Sequence, residues 1–297
     1  MLSILLPIYN YAVNDLLTSL DKATEGLDFD YEILCWEDGS QLYLDENKMV
    51  CDSVKNTTHH ISNDNKGRIT SRQLLAKKAK YNWLLFLDAD VELPDNNLIN
   101  NYSNYLTHEH DAVYGGYAYK PNRPSEEFTL RWTYGKSYEN ANAVIRNKLP
   151  YKVVISGNFM IRKNVFLDIN SEIKNDGYGY DNIFGALMKS KSTKVFHIDN
   201  AVFHNGLDSN ALFLKKTEHA VKTLFYNYHS LKVISTDNTL LELYKSLKRF
   251  RVHKIVAILF NLFKHPIRIQ LLSKRPSMKL FQFYKLGYLC ALSPNKR

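Results

Sequence analysis

Trp83-Leu84-Leu85-Phe86-Leu87-Asp88-Ala89-Asp90 is the stretch on which the fold turns. An apolar run of this length suits a strand buried on both faces, and two carboxylates one residue apart follow it directly. Towards the N-terminus, residues 3–8, 31–36 and 59–62 are further short apolar or β-prone runs. Between them, residues 15–24 and 68–80 have helical spacing. This alternation predicts an α/β fold built on a parallel sheet. Such sheets gather functional residues at the carboxyl ends of their strands. Asn10, Glu37-Asp38 and Asp88-Ala89-Asp90 each follow one of the runs, so three strand ends are expected to converge on one crevice.

Residues 111–206 are rich in Tyr, Gly and Asn and less regular. They contain Ser156-Gly157-Asn158, the glycine-flanked Gly177-Tyr178-Gly179-Tyr180-Asp181 and an expected strand over residues 194–204, a composition that suits acceptor recognition. From Leu240 the pattern is helical and amphipathic, with breaks at Pro266 and Pro276. The expected organisation is therefore a domain over 1–225, in two halves (1–110 and 111–225), with a helical extension over 226–297.

Charge separates the two parts. Residues 245–297 hold 13 Lys or Arg and no acid, so the first 244 residues carry 26 basic against 30 acidic groups and the net +9 resides in the tail. Apolar Leu243, Leu247, Phe250, Ile258, Leu259, Leu262 and Phe263 recur there at near-helical spacing beside Lys245, Lys248, Arg249, Arg251 and Lys254. That is the pattern expected of a helix lying on an anionic membrane, the alternative being an appendage whose stripe packs on the catalytic domain. No nucleic-acid-binding motif accompanies the basic tail, and nucleic acid is not expected as a partner. A nucleotidyltransferase is disfavoured because no glycine appears before Gly26, where its phosphate loop would stand. The three cysteines, an odd number with no Cys-x-x-Cys, indicate neither a disulfide framework nor a thiolate zinc site. Nor does any window reach the roughly 18 apolar residues of a membrane span. A cytoplasmic protein, peripheral on the inner face of the cytoplasmic membrane, is the expectation.

Pro7-Ile8-Tyr9-Asn10, Glu37-Asp38-Gly39-Ser40, Asn65-Lys66-Gly67 with Ser71-Arg72, and Leu87-Asp88-Ala89-Asp90 stand in an order and spacing that resembles family 2 glycosyltransferases, which have the GT-A fold. Gly177 to Asn182, His197 to Asn200 and His204 to Leu207 look like the second half of bacterial members that build surface polysaccharides. The resemblance covers about residues 1–220. It implies inverting transfer of a hexose from a UDP-sugar to a growing glycan or lipid-linked acceptor, with Mn2+ or Mg2+ as cofactor. The alternative is a catalytically silent relative that binds the nucleotide sugar without turnover.

A cation held by carboxylates stabilises a departing diphosphate as a Lewis acid, and oxygen ligands with one imidazole suit manganese or magnesium. Asp90 is the first choice of metal ligand. By resemblance Asp88 lies nearer the ribose, with Ala89 between them, and His204 approaches from the other side of the diphosphate. A solvated turn capping the next helix is the plain alternative for Asp88 and Asp90. For His204 and the nearby His197 it is a hydrogen-bonded structural histidine. The resemblance gives Asp38 a place on the uracil or ribose, Pro7 and Tyr9 a place around the base, and Asn10 a place in the donor site. Gly67 opens a helix on which Arg72 and Arg68 are expected to meet phosphate, an ordinary solvated arginine being the other reading of Arg68. Ser156, Gly157 and Asn158 are expected to form the floor under the donor sugar, where small residues allow close backbone approach, and the tyrosines from Tyr114 to Tyr119 either face a sugar or pack. The resemblance makes Asp181 the base, although Asp181-Asn182 departs from the commoner Glu-Asp pair. An ordinary helix cap is the other reading of Asp181.

Overall fold

The computed structural model describes residues 1–173, 177–230 and 237–292. Parts of the C-terminal tail, 231–236 and 293–297, lie outside them. The first half runs β1 (Leu2–Ile8), α1 (Asn14–Thr24), β2 (Tyr31–Asp38), α2 (Leu44–Ser53), β3 (Thr57–Ser62), α3 (Arg68–Lys78), β4 (Trp83–Leu87), β5 (Val91–Glu92) and α4 (Leu98–Ser103). It continues through β6 (Ala112–Tyr114), β7 (Tyr117–Ala118), α5 (Thr129–Tyr134), α6 (Ala143–Arg146), β8 (Asn158–Arg162), α7 (Lys163–Ser171), α8 (Tyr180–Ser190), β9 (Val195–His197) and β10 (Val202–His204). Four helices close the chain: α9 (Asn210–Ser230), α10 (Thr239–Arg249), α11 (His253–Leu271) and α12 (Met278–Leu292).

Seven strands form one sheet in the order β3-β2-β1-β4-β8-β6-β9, and β5-β10-β7 form a small second one. Strands β1 to β4 are mutually parallel, as the alternation predicts. The sheet is not parallel throughout: β8 returns from the excursion through α5 and α6 and inserts antiparallel between β4 and β6. Side chains of β1 alternate with the period of two that a pleated strand imposes. Leu2, Ile4, Leu6 and Ile8 face a core shared with α1 and α4, and Leu5 faces one shared with α3, α7 and α8.

The single strand expected over residues 194–204 is two strands in two sheets. Asn200, buried between them, donates to the Leu98 carbonyl at 3.0 Å and accepts from Asn101 at 2.9 Å. Anchoring that residue takes the chain out of the large sheet after β9 and lets β10 pair with Val91, next to Asp90.

Helix α9 runs across residue 225 and joins the last three helices to the rest. Leu130, Phe213, Phe260, Leu271, Phe281 and Tyr284 form one cluster, and Val221, Phe225, Leu241, Tyr244 and Leu289 another. Helices α11 and α12 approach so closely that a Cβ on Gly287 would lie 2.6 Å from Phe260. Of the apolar tail residues singled out in sequence, Leu247 packs inward, whereas Leu243, Phe250, Ile258, Leu259, Leu262 and Phe263 are exposed. Among the described residues no helix is long and apolar enough to cross a membrane.

Candidate active site

Three strand ends and one helix start open on a single cleft of about 340 Å³, within the ~300–1,000 Å³ usual for small-molecule sites. Strand β1 contributes Pro7 and Tyr9, β2 contributes Asp38, the turn into α3 contributes Gly67, Arg68 and Arg72, and β4 delivers Asp88, Ala89 and Asp90. His204 and Gly206 arrive from β10 on the far side. Parallel strands place these residues together because their carboxyl ends share one edge of the sheet.

Asp90 and His204 face each other, with Oδ2 3.4 Å from Nε2. The imidazole leans on Tyr117 and Tyr119, with ring centroids at 4.9 and 5.9 Å, and its Nδ1 is buried without a partner. Burial pushes the Asp90 carboxyl up, and the hydrogen bond and charge of His204 outweigh it, leaving the group below its ordinary range. Gly206 makes this approach possible, since a Cβ there would stand 1.8 Å from Asp90 Oδ2. The acids do not cap the next helix: the residue before α4 is Asn97, whose amide donates to Asp95.

Asp88 has different partners. Arg72 forms an ion pair with it, and the Tyr117 hydroxyl donates to its Oδ2 at 3.1 Å. Burial lowers the pKa of Arg72; Asp88 opposes that shift and Arg68 adds to it. Arg68 is half-buried; Asp181 and Asp88 overcome desolvation and raise its pKa, and its guanidinium donates to Ser156 Oγ at 2.7 Å. Asp88 is thus held by protein groups, and Asp90 is the carboxylate presented together with an imidazole. Among the described residues no cluster of three or more His, Cys, Asp or Glu could hold a metal alone. Asp90 and His204 fit a cation that takes its remaining ligands from diphosphate and water, as magnesium-like ions commonly do.

Asp38 is buried and accepts from the backbone amides of Lys66 at 2.8 Å and Gly67 at 2.9 Å. Gly67 has φ 81, a left-handed conformation that suits glycine. Glu37 points the other way, fully buried against Ser40, Asn47 and His59.

Four of the expected site residues do not line the cleft. Asn10, at φ 49, clamps the loop after β2 by accepting from the amides of Gln41 at 2.7 Å and Leu42 at 3.2 Å. Asn158 is fully buried, donating to the carbonyls of Gly116 and Asn200 at 2.9 Å each and accepting from Tyr102 at 2.8 Å. Gly157 sits behind Asp88, where a Cβ would meet the Tyr117 hydroxyl at 1.7 Å and Asp88 Oδ2 at 2.5 Å. Asp181 lies in the first turn of α8 and lines a small adjoining cavity together with Ser156, Arg68 and Arg72, the last two of which also line the main cleft. Gly179, at φ 94, takes the cap position of α8. Asn182 is exposed and accepts from Asn238 at 2.9 Å.

The structure adds Arg131, Tyr178, Asp208 and Lys216 to the cleft wall. Arg131 binds Glu139 at 3.0 Å and packs on Tyr119 and Phe213, and Lys216 binds Asp208 at 2.7 Å. Tyr114, Tyr117 and Tyr119 are buried and pack around the two histidines.

His197 is structural. Its Nε2 is 2.8 Å from the Pro150 carbonyl and its Nδ1 3.0 Å from Arg146, an arrangement that fits the neutral ring with Nε2 donating. Burial lowers its pKa to about 4, with Pro150 opposing and Arg146 assisting. A folded-state value below the ordinary ~6.5 means that protonation favours the unfolded chain. Stability is therefore expected to fall by up to about 3 kcal/mol as pH drops from roughly 6.5 towards 4. Urea titrations across that window should show a shallower slope in His197→Gln, and an equal slope would remove His197 as its source.

Several solved structures share this architecture. A mannosyltransferase from Pyrobaculum calidifontis, in complex with GDP-Man and Mn2+, aligns with TM-score 0.55 and 12% identity over 76% of this chain and 63% of its own. S. aureus TarS 1–349 aligns with TM-score 0.51 and 14% identity over 96% of this chain and 90% of its own, although the chain spans only 40% of a longer TarS structure. Glucosyl-3-phosphoglycerate synthase from Mycobacterium tuberculosis, in complex with Mn2+, UDP and glucosyl-3-phosphoglycerate, aligns with TM-score 0.50 and 12% identity over 75% of this chain and 78% of its own. No curated protein matches the chain. At these identities the neighbours establish the fold, which is GT-A. The sequence model of glycosyl transferase family 2 matches residues 3–169, more than half of the chain and every strand end from Pro7 to Asp90, and the protein belongs to that family.

Proposed function

We propose that the protein is an inverting, metal-dependent glycosyltransferase that moves a hexose from a UDP-sugar to a growing glycan or lipid-linked acceptor in surface polysaccharide synthesis. The observation that carries this reading is the pairing of Asp90 with His204 in a cleft that Arg68 and Arg72 also line. Residues 1–110 would bind the nucleotide, 111–225 the acceptor, and 226–297 extend the domain. Manganese or magnesium, held by Asp90 and His204, would supply Lewis-acid stabilisation of the leaving diphosphate. Asp38, Pro7 and Tyr9 contact the nucleoside, and Arg68 and Arg72 favour the negative charge released as the bond between the anomeric carbon and the diphosphate oxygen breaks. Asp181 takes the proton from the acceptor hydroxyl as its oxygen bonds to that carbon. The three free, buried cysteines suit a reducing, cytoplasmic setting.

Release of nucleotide from a panel of nucleotide sugars with manganese tests the reading, since slow donor hydrolysis needs no acceptor. Release from one UDP-sugar is expected. Release from a GDP-sugar instead would keep the chemistry and change the donor, a second reading favoured by the mannosyltransferase complex with GDP-Man. Binding without release under every condition, acceptor included, would point to the silent relative.

Gly206 offers a subtler test. In Gly206→Ala the new methyl displaces the Asp90 carboxylate from His204, and the manganese concentration needed for half-maximal release is expected to rise by about 10- to 100-fold. An unchanged manganese titration would mean that Asp90 and His204 do not act together.

A further inference from the structure

The last helices bury their inner faces and leave one outer face bare. On α11, Phe260, Ile267 and Leu271 are buried in the helical cluster, while Ile255, Ile258, Leu259, Leu262, Phe263 and Ile269 are exposed, Leu262 at 68% and Ile258 at 60%. At 3.6 residues per turn these six fall on one side of the helix with Pro266 among them, and no charged residue interrupts the row. From Ile255 to Ile269 the row is about 21 Å long at 1.5 Å per residue. Single exposed apolar residues are common on soluble proteins, whereas a contiguous row marks a surface that meets something.

Charge says what it meets. Arg249, Arg251 and Lys254 are exposed at one end of the row, and Lys274 and Arg275 at the other. The chain has no acid after residue 244, and of these five Lys274 meets an acid from an earlier segment, Glu126 at 3.8 Å. On the inner side Glu218 of α9 already draws Lys264 to 4.0 Å and Arg268 to 3.9 Å. A second copy of the chain would bring two such cationic ends together, which disfavours self-association through this face. An apolar row with cationic ends is instead suited to the boundary between headgroups and acyl chains of an anionic bilayer.

We infer that α11 seats the protein on an anionic lipid surface, its Ile255 to Ile269 row entering the acyl boundary and its flanking arginines and lysines meeting the headgroups. This goes beyond the proposed transfer reaction and does not depend on it. Of the apolar residues identified in the sequence, Leu247 takes no part, because it is turned into the bundle.

The test is flotation of the full chain with vesicles of phosphatidylcholine alone or mixed with phosphatidylglycerol. Binding to the mixed vesicles is expected to be at least about tenfold tighter and to weaken with salt. Leu262→Gln with Phe263→Gln should weaken it about tenfold, and Arg249→Gln with Arg251→Gln and Lys254→Gln should remove the preference for anionic lipid. These positions are exposed, so the fold is expected to persist, and Leu262→Trp gives an independent readout through a blue-shifted emission on mixed vesicles. Equal binding by wild type and the Leu262, Phe263 variant would overturn the inference, as would no binding by wild type. A dimer in solution that the same variant dissolves would do so too, by assigning the face to a second copy. Donor hydrolysis without vesicles reports catalysis separately, so loss of lipid binding cannot be mistaken for loss of the active site.

Discussion

Asp90→Ala is expected to lower metal-dependent nucleotide release by about a thousandfold or more. Lewis-acid stabilisation of a leaving group contributes several kcal/mol, and about 4 kcal/mol corresponds to three powers of ten in rate. With Asp90 gone, His204 is left as a single protein donor, and Asp88 cannot substitute while Arg72 and Tyr117 hold it. The fold should survive, because the Asp90 contact that supports the backbone is its carbonyl, which accepts from Asn205 at 2.9 Å and remains in the variant. Circular dichroism checks folding, and a manganese titration of nucleotide release checks the effect. Normal release with normal manganese dependence would sink the assignment of Asp90.

Asp181→Asn should separate binding from transfer. General-base catalysis typically contributes 10²- to 10⁴-fold, so transfer to acceptor is expected to fall by about that factor. Donor affinity, measured by calorimetry, should stay within a fewfold, since the donor cleft is lined by other residues. Asn182→Asp is the companion variant. Asn182 faces Asn238 across the surface, so an acid placed there should not restore transfer to Asp181→Asn. Transfer that survives in Asp181→Asn would falsify the base, and rescue by Asn182→Asp would move the role one residue along.

Much of the cleft could be read from the sequence because the fold writes it locally. An apolar run that stops at a carboxylate marks a strand end, and parallel strands bring their ends together, so Asp38, Asp88 and Asp90 could be grouped from the sequence. His204 depended on the resemblance, since its neighbours in space belong to β5 and β7. Arg131 and Lys216 carried no signal at all, because they sit on helices whose spacing is ordinary and reach the cleft through the packing of α5 and α9. The two strands within residues 194–204 look like one because β-prone residues specify extension without saying which sheet is joined. Asn158 stood out beside Gly157, but its three hydrogen bonds, to Tyr102, Gly116 and Asn200, come from segments that sequence spacing does not connect. In the tail, amphipathic spacing announced an apolar stripe, and tertiary packing decided that the stripe of α11 would stay outside.

Asp38 has a consequence for how such an enzyme could change its donor. A carboxylate offers about four acceptor sites, and the amides of Lys66 and Gly67 take two of them, so Asp38 can tie down the loop and still receive a nucleoside. The loop contact and the proposed nucleoside contact share one side chain. A substitution at Asp38 that alters preference among bases also unfastens the start of α3, and with it the helix that carries Arg68 and Arg72. Evolution or design in search of a different nucleotide would therefore find freer ground at Tyr9, which is 55% exposed and whose side chain clamps no loop among the described residues.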